Sequence, residues 1–168
     1  VTPRGAARTL RVGLVADTHV GEFADRLPDW VPEALEGCDL LLHAGDLSVT
    51  AVLDDLEAVA PVRAVRGDHD RGAEHLPRSL VATVGGWRIG VVHGCVSRHW
   101  DTAVTLRQAY GRPFDWQRRV HRHVLARLGA VDAAVYGHWH VPAVERVASA
   151  VVVCPGAVCP WGSLSGGR

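Results

Sequence analysis

Three aspartates and four histidines sit at the turns of this chain in an order that suits metal ions. They are Asp17 and His19 in Asp17-Thr18-His19, Asp46 after Gly45, Asp68 after Gly67, His93 before Gly94, and His138 and His140 in His138-Trp139-His140. A mixed oxygen and imidazole set favours Mn²⁺, Ni²⁺, iron or Zn²⁺ over Ca²⁺ and Mg²⁺, which prefer oxygen alone. Seven ligands exceed what one tetrahedral zinc takes, and no thiolate joins the set. Two divalent transition-metal ions sharing a bridging carboxylate fit the count, with Mn²⁺ the first expectation and Ni²⁺, iron or Zn²⁺ the alternatives. A single D-x-H pair says little; five such groups, each closing an apolar run, say much more.

Those runs are the elements that must position the ligands. Leu10–Ala16, Cys38–Ala44, Val62–Arg66, Arg88–Val92 and Val131–Tyr136 are short and rich in β-branched residues, as strands buried on both faces of a parallel sheet are. Helices are expected at Pro32–Glu36, at Ser48–Ala60 with Ser48 as N-cap, and at Asp115–Leu128. Ser79–Val84 and Ala143–Val153 read as hairpin or meander strands. Strand and helix in alternation imply βαβ units. In α/β sheets ligands bind beyond the carboxyl ends of the strands, so the scattered residues converge on one edge. Residues i and i+2 of an extended segment point the same way, which lets each D-x-H or H-x-H pair reach one site.

The bulk composition sets limits on partners. The chain has 168 residues, zero formal net charge and four cysteines without CxxC spacing. One domain is expected. Neutral charge gives no strong nucleic-acid signal, and no apolar run reaches the ~18 residues of a membrane span. Val1–Leu10 lacks the apolar core of a secretory signal. The cysteines read as reduced thiols, which points to the cytoplasm. Arg supplies all 18 basic side chains, and Lys, Asn and Met are absent; codon bias in a GC-rich genome accounts for this.

With these motifs in hand, the sequence resembles the calcineurin-like metallophosphoesterases, and most of all their small single-domain bacterial and archaeal phosphodiesterases. The likeness runs through Asp17-Thr18-His19, Gly45-Asp46, Gly67-Asp68-His69-Asp70, His93-Gly94 and Gly137-His138-Trp139-His140, in that order. Cys154-Pro155-Gly156-Ala157 lies where the family has an Asn-Pro-Gly-Ser turn. The resemblance implies a single-domain α/β fold, a four-layer αββα sandwich. It implies one metal on Asp17, His19, Asp46 and His140, and a second on Asp46, Asp68, His93 and His138. It further implies in-line attack on a small phosphate ester, a nucleotide among the candidates, by a hydroxide held between the ions. His69 takes the place of the histidine that protonates the leaving oxygen, so His69 and Asp46 are the catalytic candidates. Homo-oligomers are left open.

Three departures from the family stand out. Asp68 replaces an Asn, His69 replaces what is often Cys in close relatives, and His93 and His138 lie 45 positions apart, further than in the small relatives. The extra stretch, residues 95–114, is expected to fold near the site, with Arg98 or Arg107 meeting a second phosphate or a base; a surface helix with solvated arginines is the alternative. Residues 162–168 read as a flexible tail. His43 reads as a satisfied core histidine, His121 and His123 as surface, and Trp30, Trp87 and Trp116 as core or partly buried. Asp70 either orients His69 or caps its turn. A non-catalytic scaffold that kept the fold, as a retromer subunit related to this family did, is the competing function. A metallo-lactamase lacks support because H-x-H-x-D-H is missing.

Overall fold

Both faces of the first strand are covered. Val12 and Leu14 pack toward a second sheet, while Val15 joins a cluster with two helices and a Cβ on Gly13 would meet the side chains of Leu35 and Leu41. The computed structural model describes residues 9–111 and 115–159. Its elements in order are β1 Val12–Val15, α1 Trp30–Leu35, β2 Leu40–His43, α2 Ala51–Glu57, β3 Val62–Ala64, β4 Ser79–Val84, β5 Trp87–Val92, α3 Arg98–Ala109, α4 Trp116–Leu128, β6 Ala133–Tyr136, β7 Ala143–Val147 and β8 Ala150–Cys154.

Two sheets result. β1, β2 and β3 lie side by side and parallel. The second sheet runs β4-β5-β6-β8-β7, with β5, β6 and β8 parallel and antiparallel strands at both edges. Three apolar layers join the parts. Val31, Leu35, Val52 and Leu56 of α1 and α2 pack on the first sheet. Ala16, Leu42, Val65, Ala82, Val91 and Val135 fill the space between sheets. Val120, Val124 and Leu128 of α4 pack on Val92, Ala134, Tyr136 and Val152. Helix, sheet, sheet, helix is the expected αββα sandwich. The motif strands come from both sheets, so one parallel sheet does not account for them; their carboxyl ends meet across the sandwich.

Several local expectations are corrected. Ser48 is not the N-cap of α2: Thr50 holds that position, without a side-chain cap. Ser48 instead has φ +66, because its N–H is drawn 2.8 Å to Asp70 Oδ1. His121 is buried, not on the surface. Its Nε2 shares a hydrogen bond with the Tyr136 hydroxyl at 3.0 Å, which lets an imidazole sit beside Val120 and Val124, and its Nδ1 lies 2.8 Å from the Glu145 carboxylate. Trp30 and Trp87 are 56% and 61% exposed rather than core; each is the first residue of its element, α1 and β5. His43 is fully buried with Nδ1 accepting from the Gly45 N–H at 3.2 Å, which leaves Nε2 to donate to Thr18 Oγ1 at 3.3 Å. Burial draws its pKa down to about 3, so it is a neutral core histidine, as expected. Trp161 and residues 162–168 lie outside the described residues, as do Arg112 and Phe114.

Candidate metal centre

The loops beyond the strands are zipped to one another. Asp17 N–H donates to Gly45 O at 3.0 Å and His19 N–H to Asp46 O at 3.1 Å, carrying the β1–β2 pairing past the strands. His138 N–H donates to both oxygens of Asp17 at 3.0 Å, tying the second sheet to the first. Asp70 settles the turn after β3: its carboxylate accepts the N–H groups of Asp46, Ser48 and Gly67 at 3.0, 2.8 and 2.6 Å. It caps the turns, and His69 finds another partner.

The ligands of each pair do share a side, though not because their segments are extended. Asp17 and His19 have φ +53 and +47, Asp46 has +56, and His138 and His140 have +76 and +54. All five lie in the left-handed region that costs a residue with a Cβ roughly 1–2 kcal/mol. Strain of this kind persists where the surroundings over-determine it, and it concentrates at functional sites.

Two clusters follow. Ligand atoms of Asp17, His19 and His140 lie within 4.8 Å of one another, and so do those of Asp46, His93 and His138. Asp46 stands between them. Its Oδ1 accepts the His69 N–H at 2.9 Å, and its Oδ2 lies 3.1 Å from His93 Nε2 and 3.8 Å from His19 Nε2. Asp68 Oδ2 is 3.6 Å from His138 Nδ1. His19, Asp46, Asp68, His138 and His140 line one cavity, and the buried Asp17 and His93 bring ligand atoms within 4.8 Å of that set. His93 Nδ1 lies 2.9 Å from Ala44 O, a contact that places the proton on Nδ1 and leaves Nε2 as the ligand atom.

The donor set fits cations. His19 Nε2, His93 Nε2 and His140 Nδ1 are buried and make no hydrogen bond among the described residues, an arrangement that costs free energy unless something else satisfies them. Electrostatics agree. Burial pulls the His93 imidazole down, but the Asp46 carboxylate prevails and lifts it to about 10. Burial pushes Asp46 up, yet His93 and the His69 N–H hold it well below the carboxylate range. Burial raises Asp17 to about 7 and draws His140, with help from His19, down to about 4. A proton on His93 thus stands in for the charge that a cation would bring, and a cation held there would displace it.

The cavity in front of these groups measures about 1030 Å³. His69 faces it beside His19, with ring centroids 5.0 Å apart. Three residues at this wall went unnoticed in the sequence. Glu22 lies 3.0 Å from His69 Nδ1 and accepts the Ser48 hydroxyl at 2.8 Å. Cys95 brings its sulfur within 4.8 Å of ligand atoms of Asp68 and His138, so a thiol does stand beside the set that seemed to have none. Asp101 of α3 also lines the cavity, as does Arg98, whereas Arg107 is not among the lining residues described. Only the position of Glu22 three residues after His19 hinted at its role. Trp139, between two ligands, turns away and packs on Trp116 at 4.6 Å.

Comparison with known proteins agrees with this geometry. The chain is 33% identical over 148 residues to a probable metallophosphoesterase of Methanothermobacter thermautotrophicus, covering 87% of this chain and 76% of that protein. Among solved structures, Vps29 of Entamoeba histolytica complexed with zinc superposes with a TM-score of 0.67 at 24% identity, covering 88% of this chain and 74% of that one. An archaeal phosphodiesterase superposes with a TM-score of 0.58 at 19% identity, covering 92% and 87%; both likenesses concern the fold. The profile of the calcineurin-like phosphoesterase superfamily domain matches residues 10–166, and the chain belongs to that superfamily.

Proposed function

We propose that this protein hydrolyses phosphate esters, diesters ahead of monoesters, using two divalent transition-metal ions, Mn²⁺ foremost. Asp17, His19, Asp46 and His140 would hold one, and Asp46, Asp68, His93 and His138 the other. The observation that carries this reading is Asp46, whose Oδ2 faces His93 at 3.1 Å and His19 at 3.8 Å, one carboxylate serving two clusters. Divalent ions bound there supply Lewis acidity, which lowers the pKa of water and neutralises charge on phosphoryl oxygens. The protein's own groups do the rest. His69 stands at the cavity to hand a proton to the leaving oxygen, and Glu22 fixes the ring by accepting from Nδ1, so that Nε2 faces substrate. Arg98, which also lines the cavity, would meet a further anionic group of a small substrate such as a nucleotide.

The diester preference draws on the likeness to the archaeal phosphodiesterase. The four cysteines are unpaired, which suits a reducing cytoplasm; among the described residues no helix is long and apolar enough to cross a membrane. A scaffold without turnover is the second reading, raised by the likeness to Vps29. It offers no reason for seven convergent ligands.

Paired nitrophenyl monoester and diester assays after chelation and add-back of Mn²⁺, Ni²⁺, Zn²⁺ and Mg²⁺ test the proposal. Activity should vanish on chelation and return best with Mn²⁺, with the diester turned over faster. Activity untouched by chelation refutes the metal reading, and tight ion binding without turnover of either ester favours the scaffold. Glu22→Ala should reduce kcat about tenfold on an alkyl ester and less on a nitrophenyl ester, because proton donation worth roughly 10²–10⁴-fold matters most for a poor leaving group. Equal losses on both esters would remove Glu22 from the proton-donating pair.

A further inference from the structure

The segment between His93 and α4 reaches the metal centre, and Asp101 is the side chain it sets against a predicted ligand, His138. Ser97 opens α3 as N-cap, accepting the Trp100 N–H, and the helix then places two consecutive residues on the His138-Trp139 turn. Trp100 meets Trp139 edge to face, with centroids 5.6 Å apart, and the Arg119 guanidinium covers Trp100 at 5.2 Å. Asp101 Oδ2 lies 3.4 Å from His138 Nε2, with only 13% of the Asp101 side chain exposed. Cys95 Sγ donates to the same Asp101 oxygen at 3.1 Å. Val104, one turn on, is fully buried and holds the helix down.

The two nitrogens of His138 thus face different partners. Nδ1 faces Asp68 Oδ2 at 3.6 Å, the side on which an ion shared by Asp68 and His138 would sit. Nε2 faces away from it, toward Asp101. An imidazole that gives one nitrogen to a metal must carry its proton on the other. A carboxylate receiving that proton fixes tautomer and ring plane and raises ligand basicity. The other second-position imidazole, His93, has a backbone carbonyl in this role, Ala44 O. His138 has Asp101.

We propose that Asp101 is a positioning residue for the second metal position, acting through His138, so that occupancy of that position and docking of α3 at the cavity reinforce each other. The inference rests on the two-ion reading and makes the inserted helix part of the metal centre rather than a solvated ornament. Coupling between the two events is reciprocal: whatever α3 contributes to the ion's affinity, the ion contributes to the docking of α3.

Calorimetric Mn²⁺ titration of the metal-free protein tests it without any assay of turnover. The parent should bind two ions. Asp101→Asn, which keeps shape, and Asp101→Ala should bind the first ion as the parent does and the second roughly 10–100-fold more weakly, the usual cost of losing such a partner. Trypsin gives an independent reading: Mn²⁺ should slow cleavage after Arg98 and Arg107 in the parent and not in Asp101→Ala. Unchanged circular dichroism of metal-free Asp101→Asn separates the effect from misfolding. A parent that binds two ions while both variants keep the second affinity overturns the role of Asp101 and leaves the two-ion reading standing. A parent that binds fewer than two ions overturns both.

Discussion

Asp46→Ala should bring turnover down to background with every metal and substrate that supports the parent. Oδ2 of this residue faces imidazoles of both clusters, His93 and His19, so the substitution would remove a ligand from each ion at once. It also leaves two buried nitrogens, His19 Nε2 and His93 Nε2, without the negative charge beside them. A second loss is structural. Oδ1 accepts the His69 N–H, and leaving that donor unsatisfied costs about 1–3 kcal/mol. Asp46→Asn separates the two effects, because the amide oxygen can still accept from His69 while the charge that binds cations is gone. Both variants lose the buried pairing with His93 and should melt below the metal-free parent; Asn keeps the His69 bond and should melt above Ala, yet both should fail to turn over substrate. Turnover near the parent level in either variant would refute the shared carboxylate.

The contrast between what the sequence disclosed and what it withheld has physical reasons. Ligands such as Asp17, His93 and His138 were legible because each ends a short apolar run, and chain direction alone places strand ends together. Layer order was not legible in the runs, which read as one parallel sheet; the four-layer sandwich came with the family resemblance, and the strands divide between two sheets. Buried polar groups off the strand-end pattern were not legible either. His121 shares its helix with arginines, and nothing in the spacing shows that the Tyr136 hydroxyl waits beneath it. Glu22, Cys95 and Asp101 escaped because their partners are distant in sequence: Glu22 and His69 are 47 positions apart. The left-handed backbone at Asp17, His19, Asp46, His138 and His140 was equally hidden, since L residues seldom adopt it and only the zipped loops enforce it. Extended geometry gave the right convergence from the wrong backbone.

Gly67→Ala should nearly equal Asp46→Ala in its effect on turnover, though residue 67 carries no ligand atom. The reason is contact, not conformation. Gly67 is not among the positive-φ glycines, so its backbone accepts an alanine. A Cβ there would instead run into Asp46 Oδ1 and come within 2.6 Å of the Asp46 N and 2.8 Å of its Cγ. The Asp46 backbone is held by Asp70 and by its pairing with His19, so the clash with the Asp46 N breaks that hold and the clash with the carboxylate turns it aside, together taking Oδ2 from its place between the clusters. Overpacking of this kind typically costs 1–3 kcal/mol, roughly the destabilisation to expect on melting the metal-free protein. Gly72→Ala is the matched control. Gly72 has φ +79, and a Cβ added to it would meet nothing within 4 Å, so alanine there bears only the cost of a left-handed backbone, about 1–2 kcal/mol. Both variants should melt lower than the parent, but only Gly67→Ala should lose turnover and the second equivalent of Mn²⁺. If Gly67→Ala binds two ions and works like the parent, the carboxylate tolerates displacement, and the tight seat assigned to Asp46 is wrong.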